Sequence, residues 1–358
     1  MKEPVSSTLI YPLATEPETG TGAAIEIAPG IMWLRMPLFA SLKWINVWII
    51  ADKGGWAIVD TGLRSAQTME AWQTAFATIM ANVPVTRVIA THMHPDHCGM
   101  AGWIAERFGA RLWMSRLEYL SCRLMAADTG RTAPAEAIDF YHAAGWDEQA
   151  IERYKEKFGS FGEMIYPMPA AFRRLTDGET FLLGSHQWSV VMGKGHSPEH
   201  ACLYCADLRL LISGDQVLPR ITSNVSVHPT EPDADPLHDW LVSLNGLKHR
   251  VPDDVLVLPA HNSPFKGLHA RIDQLVSGHH RGLERLIENL AEPRRAVDLF
   301  GSLFARPITG ESLGMATGET IAHLNYLWKI GSVIRESDNQ GVYWWRCRVS
   351  HAIPARPV

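Results

Sequence analysis

The sequence is short of the features that mark several large protein classes. Its 358 residues include 5 cysteines, Cys98, Cys122, Cys202, Cys205 and Cys347, an odd number without regular spacing. That excludes a disulfide framework and points to a reducing compartment, the cytoplasm. No apolar run approaches the roughly 18 residues a membrane helix needs. Met1 to Thr15 has no basic stretch leading into an apolar one, so no secretory signal is read there. Positive charge is not in excess: 33 Lys and Arg against 38 Asp and Glu give a net charge of −5. A general drive toward nucleic acid or anionic lipid is therefore missing. Internal repeats and low-complexity tracts are absent as well. Apolar residues, in contrast, make up 46% of the chain, enough for a large core. At about 150 residues per domain the length suggests roughly two domains.

An arm rich in Thr, Glu and Gly occupies residues 1–24. Strand-like runs follow at Gly30–Arg35, Ile45–Ala51 and Trp56–Asp60, the last two joined by the turn Lys53-Gly54-Gly55. Met69, Trp72, Phe76 and Met80 recur at helical spacing and predict a helix over 65–80. A strand at Arg87–Thr91, a helix at Gly102–Phe108 and a strand at Arg111–Met114 continue the alternation, which predicts a layered α/β domain over 25–266. Residues 115–172 break the rhythm and read as a helical insertion over the site. Ser115 and Glu118 form a capping-box pair there, and Pro134 opens one of its helices. Strands resume at Thr180–Leu183, Trp188–Met192, Ala201–Cys205, Arg209–Ser213 and Val255–Leu258, with a helix over 235–247. Cys202 and Cys205 share a strand but face opposite sides, so this C-x-x-C reads as two buried thiols and not as a metal knuckle. Residues 267–358 give helices at 272–290, 296–304 and 317–330, with Gly331 as C-cap, then a hairpin from Val333–Glu336 and Val342–Arg346. That order fits a small winged-helix-like region.

The chemistry is concentrated in Ala90-Thr91-His92-Met93-His94-Pro95-Asp96-His97-Cys98-Gly99, where a strand ends and a loop begins. Three imidazoles and a carboxylate within six residues make a dense donor set for a borderline divalent metal. In extended backbone His92 and His94 point the same way and can pinch one ion, while Asp96 and His97 turn toward a second. Gly195-His196, Ser213-Gly214-Asp215 and Pro259-Ala260-His261 place further donors at three other strand ends. Loops gathered at one rim of a sheet scaffold would bring them together.

With these motifs the chain, over roughly residues 25–265, resembles the metallo-β-lactamase superfamily of hydrolases. The resemblance implies an αββα sandwich in which His92, His94 and His196 hold one metal. Asp96, His97 and His261 would hold the second, and Asp215 would bridge the two. Val59-Asp60-Thr61-Gly62 is similar to the family's early motif, whose aspartate orients the site without ligating metal. True lactam hydrolases generally lack the bridging aspartate, so Asp215 makes the chain look closer to the glyoxalase II-like branch. The basic C-terminal glutathione contacts of that branch have no alignable counterpart. The run Gly318–Leu327 with its hairpin is similar to a winged-helix tail found in one branch of these hydrolases.

Two cations roughly 3.5–4 Å apart can share a water, bring its pKa near neutrality and polarise a carbonyl. Asp96, a ligand beside that nucleophile, is the candidate to orient the water or receive its proton. Asp60 would fix a ligand tautomer, and His200 reads as a structural hydrogen-bonder. Asn224, His228 and Tyr166 are candidates for substrate contact; His279 and His280 read as solvated or cap-like, and His323 as packed. The expected function is a hydrolase using two divalent ions, zinc first, with iron or manganese also compatible with N/O donors. Its substrate would be a small ester, thioester or lactone-like molecule. A phosphodiesterase or ribonuclease on the same site is the alternative, disfavoured by the charge balance. A mononuclear iron oxidoreductase would leave Asp96, His97 and His261 without a metal. A second copy of the chain is a candidate partner through the apolar stretch Leu38–Trp48; no membrane partner is expected.

Overall fold

Alternating apolar side chains build two sheets and decide how they stack. In the computed structural model, residues 9–39, 42–81 and 83–348 are described. Residues 1–8, 40–41, 82 and 349–358 lie outside them, and with them parts of the expected N-terminal arm, of the Leu38–Trp48 stretch and of the C-terminal region. The first sheet runs in chain order: β1 (Ile25–Ala28), β2 (Ile31–Pro37), β3 (Trp44–Asp52), β4 (Gly55–Val59), β5 (Val85–Ile89), β6 (Arg111–Ser115) and β7 (Arg173–Leu175). Neighbours are antiparallel from β1 to β4 and parallel from β4 to β7. The second sheet contains β8 (Thr180–Leu183), β9 (His186–Gly193), β10 (His200–Cys205), β11 (Leu210–Gly214) and β12 (Leu256–Pro259). Only its β11–β12 pair is parallel.

Period-two patterning sends each strand's side chains into two different cores. Trp33, Trp48, Val59 and Ile89 from the first sheet meet Trp188, Val190, Leu203, Ile212 and Leu258 from the second. The opposite face of the first sheet, with Leu34, Val47 and Ile49, is covered by α1 (Ala66–Thr78) and, after the single turn α2 (Pro95–Cys98), by α3 (Ala101–Phe108). Trp72 and Phe76 pin α1 there, each burial worth roughly 1.5–3 kcal/mol. Ser65 caps α1 by accepting from the Thr68 N–H. The layers are therefore helix, sheet, sheet, helix, as expected.

The insertion contains α4 (Arg116–Ala127), α5 (Ala135–Ala143) and α6 (Glu148–Lys157), with no strand among residues 116–172. Tyr119 and Cys122 of α4 join the core of the first sheet's helical layer, whereas Phe140 and Ala144 pack into that of the second. The insertion thus spans from one outer layer to the other. Ser115 is the N-cap residue of α4, but its side chain makes no capping bond. The expected capping box does not form, because Glu118 is drawn elsewhere.

The outer face of the second sheet is covered by α7 (Pro236–Arg250), α8 (Leu268–Glu288), the short α9 (Phe300–Leu303) and α10 (Leu313–Lys329). Gly331, at φ +76°, follows α10 and ends it as expected. The hairpin of β13 (Val333–Ser337) and β14 (Tyr343–Cys347) closes on Arg294 through Trp345. Val257 of the sheet, Trp240 of α7, Leu283 of α8 and Leu324 of α10 share one core, so the tail is fused to the sandwich. Cys202 lies in this core and Cys205 in the core between the sheets, the opposed placement the strand requires. Of the stretch expected to pair subunits, Ile45, Val47 and Trp48 are covered within the chain, whereas Phe39 is 60% exposed. Among the described residues no helix is long and apolar enough to cross a membrane.

Candidate metal centre

Five strand ends open on one rim, and the loops leaving them carry Asp60, the 92–97 cluster, His196, Asp215 and His261. The donor atoms fall into two groups joined by one carboxylate. Nε2 of His92 lies 2.9 Å from Nδ1 of His94 and 3.3 Å from Nε2 of His196. On the other side His261 Nε2 is 3.3 Å from Asp96 Oδ2, and His97 Nε2 is 3.7 Å from it. Asp215 stands between: Oδ2 is 3.4 Å from His196 Nε2, whereas Oδ1 is 3.6 Å from His97 Nε2 and 3.5 Å from His261 Nε2. These residues form overlapping triads with metal-ligand spacing.

Outer partners settle which ring nitrogen carries the proton. His97 Nδ1–H donates to Asp60 Oδ2 at 2.8 Å, His196 Nδ1–H to the Asn224 carbonyl at 2.7 Å and His261 Nδ1–H to the Trp44 carbonyl at 3.1 Å. Thr91 Oγ1 donates to Asp60 at 2.9 Å, and so accepts from His92 Nδ1–H at 3.1 Å. Four imidazoles consequently aim Nε2 lone pairs at one another. His97 Nε2 and Asp215 Oδ1 are buried without a hydrogen-bond partner. Lone pairs and carboxylate oxygens at such separations repel unless cations or protons lie among them, so the donor set fits two divalent ions.

The electrostatics follow from the same crowding. Burial, then the neighbouring imidazoles, drives His92 far below the ordinary histidine value. Burial and His196 take His94 to about 3. For His97 burial acts in the same direction, but Asp96, Asp60 and Asp215 outweigh it and raise the pKa. Burial would raise Asp96, yet His97 and His261 hold it at about 2. Asp215 is held far down by His261 and His97 against its burial. Asp96 is also the more open of the two carboxylates, with its side chain 22% exposed against 10% for Asp215.

The backbone is shaped to deliver these groups. Asp60 has φ +60°, a conformation only Asp, Asn and Gly tolerate readily, and its Oδ1 also accepts from the Thr91 N–H at 2.8 Å. Gly214 has φ +50°, and a Cβ there would lie 2.5 Å from His200 Nε2. His200 itself is fully buried and accepts from the Asp215 N–H at 3.0 Å; it holds the Asp215 turn.

A sequence model described as "Metallo-beta-lactamase superfamily" matches residues 45–261. The chain belongs to the metallo-beta-lactamase superfamily. A model for the metallo-beta-lactamase-like C-terminal domain matches residues 283–348. A solved beta-lactamase domain protein from Burkholderia ambifaria is 39% identical, with TM-score 0.88 over 95% of this chain and 98% of that one. A metallo-beta-lactamase family protein from Thermus thermophilus is 27% identical, with TM-score 0.75 over 90% of this chain and all of that one. Among curated relatives, an uncharacterized protein of Aquifex aeolicus is 25% identical over 48% of this chain and 64% of its own length. The acyl-coenzyme A thioesterase MBLAC2 of Gallus gallus is 24% identical over 67% of this chain and 80% of its own. The chain thus spans just under two thirds of the first of these relatives. Superfamily membership and the His/Asp clusters make this protein a metal-site hydrolase of that fold.

The three expected substrate residues are placed differently from one another. Asn224 reaches the centre through its carbonyl, on His196, while its side chain donates to Glu319 Oε2 at 2.8 Å. His228 is exposed on the same loop. Tyr166 packs its ring against Arg64 and Trp103, neither of them a donor. His279 is a correction: it is 5% exposed and hydrogen-bonded to His323 between helices, not solvated.

Two residues that sequence reasoning missed hold the superfamily site together. Glu118 is fully buried and accepts from the Met93 N–H at 2.9 Å and the Glu199 N–H at 2.7 Å, tying the 92–97 loop to the 196–200 loop. Asn46 donates to the Pro259 and Asn262 carbonyls at 2.8 and 2.6 Å, fixing the turn that carries His261. Asn46 was detectable in principle, as a polar residue inside the apolar run Ile45–Ile50.

Proposed function

We propose that this chain is a dinuclear hydrolase of acyl thioesters, releasing a carboxylic acid and a thiol such as coenzyme A. The observation that carries the reading is Asp215, whose two oxygens turn toward opposite donor groups. His92, His94 and His196 would hold one ion, Asp96, His97 and His261 the other, with Asp215 shared. Bound divalent ions, zinc by preference for this N/O set, supply an activated water and a Lewis acid for the carbonyl.

The chain's own groups define what else happens there. Asp96, ionised at neutral pH and open to the rim, takes the proton of the attacking water on the oxygen turned away from His97 and His261. Asp60, Asn224 and Trp44 keep the imidazoles oriented throughout. Four of the five imidazole donors have their only N–H committed outward, so they offer no acid to a leaving group. A thiolate, with an ordinary pKa near 8.5, leaves without one, whereas an alkoxide or amine needs protonation. The MBLAC2 relatives, named as acyl-coenzyme A thioesterases, support the same substrate class, which is also that of the glyoxalase II-like branch. Five free thiols fit a reducing, cytoplasmic setting. The test is turnover of an acyl-coenzyme A panel beside a single-stranded RNA oligomer, with metal content measured on the same sample. Thioester turnover with two ions per chain is expected. RNA cleavage with inert thioesters would replace this reading by the phosphodiesterase, and a single iron would favour the oxidoreductase.

A further inference from the structure

The N-terminal arm runs beside the turn that carries His261, and it lies outside residues 45–261 matched by the superfamily model. One end is pinned just beyond that turn: Ile10 N–H donates to the Lys266 carbonyl at 3.2 Å, and Lys266 N–H to the Ile10 carbonyl at 2.8 Å. The other is pinned to β2, where Gly20 N–H donates to the Arg35 carbonyl at 2.9 Å. Glu16 lies between these anchors and uses both carboxylate oxygens. Oε1 accepts from Ser263 Oγ–H, two residues after His261, and Oε2 stands 2.7 Å from Arg35 Nη2. Burial would raise the Glu16 pKa, yet Ser263 and Arg35 lower it, so the carboxylate is ionised at neutral pH. Arg35 is only 6% exposed, and its guanidinium lies against the rings of Trp33 and Trp44, 4.8 and 4.4 Å from their centroids. Its Nε and Nη2 make no hydrogen bond, and Glu16 is the one carboxylate paired with it among the described residues. Trp44 Nε1 is likewise buried without a partner, so the cation over its face is the polar hold on that ring. Trp44 in turn supplies the carbonyl that accepts the Nδ1–H of His261.

We propose that Glu16 is a positioning residue for His261, and so for the ion that Asp96, His97 and His261 would hold. It acts on both sides of that histidine: through Ser263 it anchors the turn, and through Arg35 it steadies the strand end that orients the ring. Without Glu16, Arg35 keeps its charge in a nearly closed place with no counter-charge, and an unpaired buried cation is costly. The guanidinium then turns toward water and lets go of Trp44, while Ser263 lets go of the turn. His92 and His196 are oriented by Thr91 and Asn224 instead, so the ion they would hold with His94 is left alone. The inference rests on the two-ion centre proposed above and not on the choice of a thioester as substrate.

Stepwise zinc affinities of the full chain, measured in competition with a chromogenic chelator, test it. Wild type should take two ions. Glu16→Ala should weaken one by about tenfold, the lower end of what losing outer support costs a ligand, and leave the other within about twofold. Glu16 is 40% exposed, so this variant folds. Glu16→Gln keeps an acceptor for Ser263 but withdraws the charge from Arg35, and should weaken the same ion by about threefold. A double-mutant cycle locates the effect. In a His261→Ala background, which keeps the ion of His92, His94 and His196, adding Glu16→Ala should cost less than about twofold, whereas a merely structural role would weaken that ion too. If His261→Ala fails to fold, Ser263→Ala decides in its place, with about a threefold loss expected at one ion alone. Wild type holding a single ion would overturn the two-ion centre and this inference together. Two ions in wild type, with both weakened alike by Glu16→Ala, neither weakened, or the full loss repeated in the His261→Ala background, would overturn the role of Glu16 alone.

Discussion

Glu118 offers the sharpest check on how the metal centre is held. In Glu118→Ala the N–H groups of Met93 and Glu199 lose their acceptor in a fully buried place. An orphaned buried donor costs about 1–3 kcal/mol, so two cost about 2–6 kcal/mol. Part of this is offset, because burying the carboxylate is itself unfavourable; burial raises the Glu118 pKa even against the hydrogen bonds from the Glu199 and Met93 N–H groups. A net loss of about 2–4 kcal/mol follows for the metal-free protein. Glu118→Gln keeps one acceptor oxygen and should lose about half as much.

The same strap holds the loops bearing His92, His94 and His196, so metal affinity should fall about 10–100-fold, as when a ligand's outer support is removed. Urea unfolding in chelator gives the first quantity, and competition titration with a chromogenic chelator the second. Glu118→Ala within about 0.5 kcal/mol of wild type, with unchanged affinity, would refute the reasoning. Stability loss with intact metal affinity would leave Glu118 a plain core residue.

Asp60→Asn keeps a side chain that tolerates φ +60° but places one amide NH₂ against either Thr91 N–H or His97 Nδ1–H. Metal affinity should drop about 10–100-fold with little change in fold, read by the same titration and circular dichroism. Gly318→Ala would put a Cβ 2.8 Å from Ser226 and from the Val227 carbonyl, pushing the loop that carries Asn224 away from α10. Such overpacking typically costs about 1–3 kcal/mol, and it should also lower thioester turnover by moving the carbonyl that orients His196. Glu319 titrates at about 7 in the folded chain against an ordinary 4.5, so its buried carboxylate penalises folding increasingly as pH rises through that window. At about 1.4 kcal/mol per unit, Glu319→Gln should match wild type near pH 4.5 and exceed it by up to about 3 kcal/mol at pH 8. Parallel unfolding curves at about pH 5 and pH 8 that show no such divergence would refute the assignment.

The fold was legible where one period governed a whole element. Alternation in Trp33, Trp48, Trp188 and Leu203 set the inner core, and Trp72 and Phe76 set the buried face of α1. The candidate donors could be named from the sequence because histidines and aspartates crowd at strand ends, and the fold brings them into adjoining groups. What escaped were groups whose role depends on partners far along the chain. Ser115 and Glu118 satisfy a local capping pattern, yet two buried N–H groups, 25 and 81 residues away, compete more strongly for that carboxylate. His279 reads as solvated on a helix with many polar neighbours until α10 brings His323 to it. The stretch around Ile45 reads as a sticky surface until both faces of β3 are seen to be covered.

That pattern has a physical origin. A metal donor has to be a particular residue type, so its identity survives in the sequence, whereas its support needs only an acceptor or donor in the right place. Asp60, Thr91, a carboxylate from the insertion, the Asn224 carbonyl and the Trp44 carbonyl all do the same job with different chemistry. Two of the four tautomer locks on Nδ1 end at backbone carbonyls outside any recognisable motif, those of Asn224 and Trp44. Those locks turn mutually repelling lone pairs inward before any cation arrives, so the folded scaffold supplies the orientation and the ions return the free energy as binding. The tight packing that fixes Gly214 against His200, and with it Asp215 between the two donor groups, is the structural condition for that exchange.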